Sequence, residues 1–214
     1  MLAKDVGVSQ RKTICSYPRL LYLVRYVSTK ALALRSWQLP GAPATPPKYV
    51  LILAPHTSNW DFFIMVAVAS ALGRQIRFMG KHQLFVGPLG ALLRWLGGVA
   101  VERSSHHNFV GQMAALFRET DDMVLIIAPE GTRGKVARWK GGYYHIAVAA
   151  NVPIVATALD YAKKAISLSP PFIPSGNYLA DQALIQAFFT DITAKHPHLD
   201  CSQPNKASAV NDSC

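Results

Sequence analysis

Two polar clusters follow apolar runs in this sequence, and they contain residue types that acid–base chemistry requires. The apolar run 49–54 is followed by Pro55 and His56, and Asp61 comes five residues after the histidine. On a continuous helix this spacing would set the two side chains roughly 140° apart, so they can meet only across a turn. An imidazole that a carboxylate orients through one ring nitrogen can act as a general base through the other. The pattern therefore predicts a base and its orienting acid, if a strand ends near Pro55 and a helix begins near residue 60.

The nucleophile in such a reaction is expected to belong to the substrate. The sequence has no G-x-S-x-G segment of the kind that presents a catalytic serine, so His56 would activate a substrate hydroxyl. A purely structural interpretation is also open. Ser58 followed three residues later by Asp61 fits a helix N-cap, and a loop histidine is commonly only a hydrogen-bonded one.

The second polar cluster, Pro129 to Arg133, follows the apolar run 123–128. In open α/β sheets, functional groups gather where strands end and loops begin. Because both clusters directly follow apolar runs, we expect them to lie at the same edge of a sheet.

Apolar runs and helical patterns alternate along the chain from residue 49 onward. The predicted strands are 49–54, 76–79, 99–102, 123–128 and 153–161, with a hairpin strand in 163–169. The predicted helices are 60–72, 83–95, 107–119, 143–150 and 180–195. Continuous apolar strands between helices indicate a sheet that is covered on both faces. The expected fold is therefore α/β: a single domain with a mixed, largely parallel sheet flanked by helices, preceded by an amphipathic helical arm.

The ends of the chain differ in character from this alternating region. Residues 17–38 interleave leucine and valine with arginine and lysine, which predicts a basic amphipathic helix that packs on the domain or lies among lipid headgroups. The run 39–47 is rich in proline and is the expected linker. We therefore divide the chain into an arm over 1–47, a catalytic domain over 48–196 and a polar, disordered tail over 197–214.

The composition favours an anionic partner. Lysine and arginine number 22 against 12 aspartate and glutamate, which gives a formal net charge of +10 and suits a bilayer surface or a phosphorylated molecule. The basic residues are scattered and no nucleic-acid motif appears, so nucleic acid is not expected. The longest apolar run, 62–72, is well short of the ~20 residues that span a bilayer, and we expect no signal peptide. The 3 cysteines form no C-x-x-C pair, and the histidines lack metal-ligand spacing. We therefore expect no metal site and a reducing compartment.

Four sequence blocks, taken in order, resemble those of the glycerolipid acyltransferase family, which includes the lysophosphatidic acid acyltransferases. The blocks are HTSNWD (56–61), GGVAVER (97–103), APEGTR (128–133) and VPIVA (152–156). The first matches the family's His-x4-Asp block, and the third matches its Phe-Pro-Glu-Gly-Thr-Arg block except that Ala128 replaces the aromatic residue. The segment 80–90 is similar to the family's Lys-x-Glu-Leu segment, with Gln83 where an acid is usual. The resemblance covers about residues 45–165.

The resemblance implies a reaction and a set of residue roles. His56 would be the general base that removes the proton from the acceptor hydroxyl, and Asp61 would orient it. The residues that would hold the acceptor's phosphate are Arg103, Glu130, Gly131, Thr132 and Arg133. Bidentate pairing suits arginine to this task. A structural role stays open for Arg103, as a solvated cation, and for Glu130, as an acid paired with Arg133.

The implied reaction moves a fatty acyl chain to the hydroxyl of a lysolipid, with 1-acylglycerol-3-phosphate as the first choice. Acyl-CoA or acyl carrier protein would serve as co-substrate, and no cofactor is expected. The protein would be peripheral, at the cytoplasmic face of the cell membrane. Pro55 stands where many family members carry asparagine, and little chain follows Tyr161, so a non-glycerophosphate acceptor is an alternative. A hydrolase that uses the same His–Asp pair and a non-catalytic basic membrane-binding module are further alternatives.

Overall fold

The computed structural model describes residues 12–39, 46–72, 75–101 and 106–202. The strands within these ranges are β1 (Lys48–Ala54), β2 (Ile76–Lys81), β3 (Gly98–Val101), β4 (Met123–Ile127), β5 (Ile154–Asp160) and β6 (Ala165–Leu168). The helices are α1 (Pro18–Leu34), α2 (Asn59–Leu72), α3 (Gly87–Trp95), α4 (His106–Glu119), α5 (Gly142–Ala150) and α6 (Tyr178–Ala187). Every predicted strand and helix is present, with shifted ends.

The strands form one sheet in the order β3-β2-β4-β1-β5-β6. The first five are parallel, and β6 pairs antiparallel with β5. This confirms the expected α/β fold with a mixed, largely parallel sheet. Because β4 and β5 are the two neighbours of β1 and run parallel to it, the residues that follow Ala54, Ile127 and Asp160 meet at one edge.

Both faces of the sheet are buried, as the continuous apolar strands predict. Successive side chains of a strand point to opposite faces, and in β1 the two alternate sets enter two separate cores. Tyr49, Leu51 and Leu53 pack with residues of α1 and α2. Val50 and Ile52 pack with residues of α4, α5 and α6. The sheet therefore lies between two helical layers, and its carboxyl edge stays open for a site.

The helical arm is attached to the domain along its helix and just after it. Along its length, α1 packs on α2. After the helix, Gln38 pairs with β6: its N–H donates to the Lys164 carbonyl at 2.8 Å, and its carbonyl accepts from the Ile166 N–H at 3.0 Å. None of the described helices is long and apolar enough to cross a bilayer. Most of the predicted linker, 40–45, lies outside the described residues.

Two predicted helices have different bounds in the structure. The segment 83–95 begins with a 3-10 turn, His82–Phe85, and the α-helix starts only at Gly87, whose φ is +65°. The helix predicted over 180–195 starts earlier, because the Asn177 side chain caps it by accepting from the Ala180 N–H at 3.3 Å. It also ends earlier, at Ala187.

The predicted disorder from residue 197 is wrong for residues 197–202. Pro197–Leu199 forms a 3-10 turn, and Cys201 is buried. The indole N–H of Trp139 donates to the Cys201 carbonyl, and the Val136 N–H donates to its Sγ, both at 3.1 Å. A polar composition predicted disorder, whereas these contacts anchor the segment. Residues 203–214 lie outside the described part of the chain.

Candidate active site

The turn between β1 and α2 brings His56 and Asp61 together. β1 ends at Ala54 and α2 begins at Asn59, so the histidine lies in the connecting loop and the aspartate in the first helical turn. His56 Nδ1 is 3.2 Å from Asp61 Oδ2. The carboxylate is fully buried, while 19% of the histidine side chain is exposed. The pair thus meets across the turn, as the spacing predicted, and part of the imidazole is exposed.

Asp61 has four hydrogen-bond donors around it. Besides the histidine, the backbone N–H groups of Thr57 and Ser58 donate to Oδ2 at 2.9 and 2.8 Å. The hydroxyl of Tyr161 donates to Oδ1 at 2.5 Å. The Ser58 hydroxyl in turn accepts from the Trp60 N–H at 3.2 Å. The same carboxylate therefore closes the helix-capping turn and contacts the histidine, so the geometry is compatible with both interpretations of the sequence.

These donors keep Asp61 ionised. Burial by itself raises the pKa of the Asp61 carboxyl, but the hydrogen bonds from His56, Tyr161 and the backbone outweigh it and bring the pKa below its ordinary value. An ionised carboxylate can only accept hydrogen bonds. His56 Nδ1 then donates to Asp61, and Nε2 is the ring nitrogen left to accept a proton from a substrate. This is the geometry that a general base requires.

Glu130 is hydrogen-bonded to the backbone of His56. Its side chain is 2% exposed, and its two carboxyl oxygens accept from the backbone N–H of His56 at 3.0 and 3.2 Å. Burial raises the pKa of Glu130 to about 8; the hydrogen bond from His56 opposes this, and the charges of Asp200 and Asp61 add to it. The geometry does not support the expected contact of Glu130 with a phosphate. The alternative pairing with Arg133 is also absent from the described ion pairs.

A cavity of about 790 Å³ opens beside the dyad. Residues 57–60 form one side of it, and Thr132 and Arg133 of the loop after β4 form another. Gly131 makes the turn that leads to them, with a φ of +67° that favours glycine. The structure thus places both sequence-predicted clusters around one space, because β1 and β4 are parallel neighbours.

The family model described as Acyltransferase matches residues 41–160, which is more than half of the chain. The chain belongs to the acyltransferase family. This confirms the resemblance that the four sequence blocks carry.

Several relatives have the same printed activity. The chain is 28% identical over 121 residues to the 1-acyl-sn-glycerol-3-phosphate acyltransferase of Haemophilus influenzae, covering 53% of this chain and 49% of that protein. It is 30% identical over 139 residues to the Homo sapiens 1-acyl-sn-glycerol-3-phosphate acyltransferase alpha, covering 59% and 48%. The chain therefore spans about half the length of the curated relatives it matches.

A solved structure shares the fold. The crystal structure of the 1-acyl-sn-glycerophosphate (LPA) acyltransferase PlsC from Thermotoga maritima superposes with a TM-score of 0.52, at 14% sequence identity and over 82% of each chain. At this identity the structural similarity is evidence only for the fold.

Sequence reasoning missed Tyr161, which lies just beyond the residues that match the acyltransferase family. It follows β5 directly and donates to Asp61, and its ring packs edge-on against Trp37 with centroids 5.1 Å apart. Burial, together with the hydrogen bond to Asp61, raises the pKa of the Tyr161 hydroxyl and keeps it a donor. The available signal was its position, since a hydroxyl at the carboxyl end of the strand beside β1 can reach the dyad.

The C-terminal residues of the cavity were missed as well. Lys195, His196 and His198 line it together with Thr132 and Arg133. The spacing of these residues in the sequence did not indicate the site. They reach the cavity only because the segment after α6 folds back against the loop after β1.

The structure does not describe Arg103, the other arginine that was predicted to contact the phosphate. Its expected phosphate contact therefore stays a prediction. Within the described ranges, no three His, Cys, Asp or Glu side chains cluster closely enough to hold a metal ion.

Proposed function

We propose that this chain transfers a fatty acyl chain from an acyl thioester to the free hydroxyl of a lysolipid, with 1-acylglycerol-3-phosphate as the first acceptor to test. The observation that carries the proposal is the His56–Asp61 pair, with Nδ1 and Oδ2 3.2 Å apart, at the side of a cavity with cationic walls. The printed activity of the relatives supports the choice of acceptor. Acyl-CoA and acyl carrier protein are the two candidate donors.

In the proposed reaction His56 handles one proton. Nε2 takes the proton of the acceptor hydroxyl as that oxygen bonds to the thioester carbonyl carbon. The tetrahedral intermediate then collapses with cleavage of the carbon–sulfur bond, and the imidazolium returns the proton to the departing thiolate. Asp61 stays ionised and stabilises the imidazolium. Glu130 and Tyr161 position the pair without contacting the substrate.

We also propose that the protein works peripherally on a membrane surface, at its cytoplasmic face. The outer side of α1 exposes large apolar side chains, among them Tyr22, Leu23 and Tyr26. On the neighbouring α2, Trp60 and Phe63 are 51% and 61% exposed. Trp60 also lines the cavity. An apolar surface that continues from the arm to the mouth of the cavity suits an acceptor whose acyl tail stays in the bilayer.

The decisive experiment measures thiol release from acyl-CoA together with the formation of acylated product over a panel of lysolipids. We expect product only when a lysolipid is present, and we expect His56→Ala to lower turnover by about 10²–10⁴-fold. The control is His82→Ala, which removes an exposed histidine outside the cavity. Thiol release that yields free fatty acid regardless of the lysolipid would mean a hydrolase. Wild-type turnover in a folded His56→Ala protein would exclude the mechanism.

A further inference from the structure

The C-terminal segment 195–198 contributes cationic and imidazole side chains to the cavity, and no role has been assigned to it. It lies beyond residues 41–160, which match the acyltransferase family. Lys195, His196 and His198 line the cavity that Arg133 enters from the loop after β4. The basic side chains of the cavity thus come from two distant parts of the chain.

Hydrogen bonds hold this segment against the dyad loop. The His196 N–H donates to the hydroxyl of Thr57 at 3.2 Å, and the backbone N–H of Thr57 itself donates to Asp61. Farther along, the Trp139 indole holds the Cys201 carbonyl. These hydrogen bonds attach the segment to the loop that precedes Asp61 and to Trp139.

Two aromatic rings position the ammonium group of Lys195. Its Nζ lies 5.3 Å from the centroid of the Trp60 ring and 6.0 Å from that of the Tyr161 ring. Cation–π contacts of this kind attract the ammonium group to the ring faces. The side chain is half-buried, and no ion pair joins it to an acid among the described residues. Its ammonium group thus lies at the cavity wall.

The walls of the cavity fit an anion. The described residues that line it include Arg133 and Lys195 together with hydroxyl, amide and imidazole groups, and none of them is acidic. A volume of about 790 Å³ is in the range of small-molecule sites and exceeds what a bare phosphate needs. A phosphate ester with a short polar backbone, such as the headgroup of a glycerophospholipid, matches both the charge and the size.

We propose that Lys195, aided by His196 and His198, forms together with Arg133 the subsite that binds the phosphate of the acceptor lysolipid. This inference rests on the proposed function, because it assigns one end of the acceptor to the cavity and its hydroxyl to His56. Acyl-CoA also carries phosphates, so the chemistry of recognition is shared between two substrates. The subsite is assigned to the acceptor because Lys195 contacts Trp60, at the start of the helix that carries Asp61.

The test uses Lys195→Met in the full chain, which keeps the apolar stem over the rings and removes the charge. We expect the KM for lysophosphatidate to rise about 10-fold or more, as for loss of one charge-assisted hydrogen bond. The KM for acyl-CoA and the turnover with a phosphate-free monoacylglycerol should not change. Lys195→Arg should restore most of the acceptor affinity, and Lys135→Ala, an exposed lysine that does not line the cavity, should behave as wild type.

A binding measurement separates this inference from the proposed reaction. At equal concentration, short-chain lysophosphatidate should raise the thermal unfolding temperature of the wild type more than that of Lys195→Met, and about ten times more ligand should be needed for the same rise, whether or not acyl transfer is detected. If wild type binds but shows no turnover with any lysolipid, the subsite stands and the proposed function fails. The inference would be overturned if Lys195→Met raised the KM of acyl-CoA alone, and if that rise disappeared with an acyl-pantetheine donor that lacks the nucleotide. These results would assign the subsite to the donor. Unchanged acceptor KM and unchanged binding in a folded Lys195→Met protein would overturn it equally.

Discussion

Replacing Tyr161 by phenylalanine removes one hydrogen bond from the Asp61 carboxylate and little else. The ring keeps its edge-on contact with Trp37, and only the donor 2.5 Å from Asp61 Oδ1 is lost. A hydrogen bond to a charged group contributes about 1.5–3 kcal/mol. Asp61 retains its donors on Oδ2, from His56 and the backbone of Thr57 and Ser58. We therefore expect a destabilisation of that size at neutral pH with the fold intact.

The pH dependence of this loss follows from the ionisation of Asp61. Its pKa in the folded protein is lowered, so the carboxylate contributes stability above its unfolded pKa, and that stability is lost as pH falls through the folded pKa. Without the tyrosine donor the folded pKa of Asp61 should rise toward its unfolded value, because one hydrogen bond that favours the ionised carboxylate is lost. The free energies of unfolding of wild type and variant should then differ most at neutral pH. They should converge in acid, where Asp61 is protonated in both proteins.

Urea unfolding between pH 3 and 8, with thiol-release kinetics on the same samples, tests this expectation. The acid limb of the activity profile should move to higher pH in Tyr161→Phe, because Asp61 must be ionised to orient His56. A matched control is Tyr143→Phe, since the hydroxyl of this buried tyrosine has no hydrogen-bond partner among the described residues. If the two variants lose the same stability, or if the activity profile of Tyr161→Phe does not move, the reasoning about Asp61 is refuted.

Two further predictions concern Glu130 and the arm. The folded pKa of Glu130 is raised to about 8, so the stability it contributes is present below its ordinary pKa and lost as pH rises through 8. Glu130→Gln keeps an acceptor oxygen and should flatten this loss in urea unfolding from pH 5 to 9, whereas the exposed Glu119→Gln should not. On α1, Leu23→Asp should weaken co-sedimentation with anionic vesicles about tenfold or more, because burying one leucine is worth about 1.5–3 kcal/mol and about 1.4 kcal/mol is tenfold. Lost binding in Leu179→Asp instead would place the membrane contact on α6.

The local part of the site was predictable from the sequence. The two residues of the dyad are separated by one turn, and the apolar runs before His56 and before Glu130 have the length and composition of buried strands. Parallel strands then bring both clusters to one edge. The role of Glu130 was not predictable, because its contact with the backbone of His56 depends on β4 being the direct neighbour of β1.

The contacts between residues far apart in the chain could not be predicted from sequence patterns. The hydrogen bond between Tyr161 and Asp61 joins residues 100 positions apart, and that between His196 and Thr57 joins residues 139 positions apart. Such contacts depend on sheet order and on the return of the C-terminal segment, which leave no periodic trace in the sequence. The same limit explains the wrong prediction of disorder at Cys201, where polar neighbours concealed a buried, hydrogen-bonded turn.

The site is assembled on the loop after β1 from both ends of the described chain. From the N-terminal side, the arm places Trp37 against Tyr161, so the segment with the exposed apolar face supports the donor that holds Asp61. From the C-terminal side, Lys195 reaches the ring of Trp60. Residues 41–160, which match the family, contain the His–Asp pair and the loop after β4. They do not include Trp37, Tyr161 or Lys195. The family segment therefore carries the His–Asp pair and part of its support, from Glu130 and the backbone of Thr57 and Ser58, while the Tyr161 donor and the Lys195 cation come from the sequence that follows it.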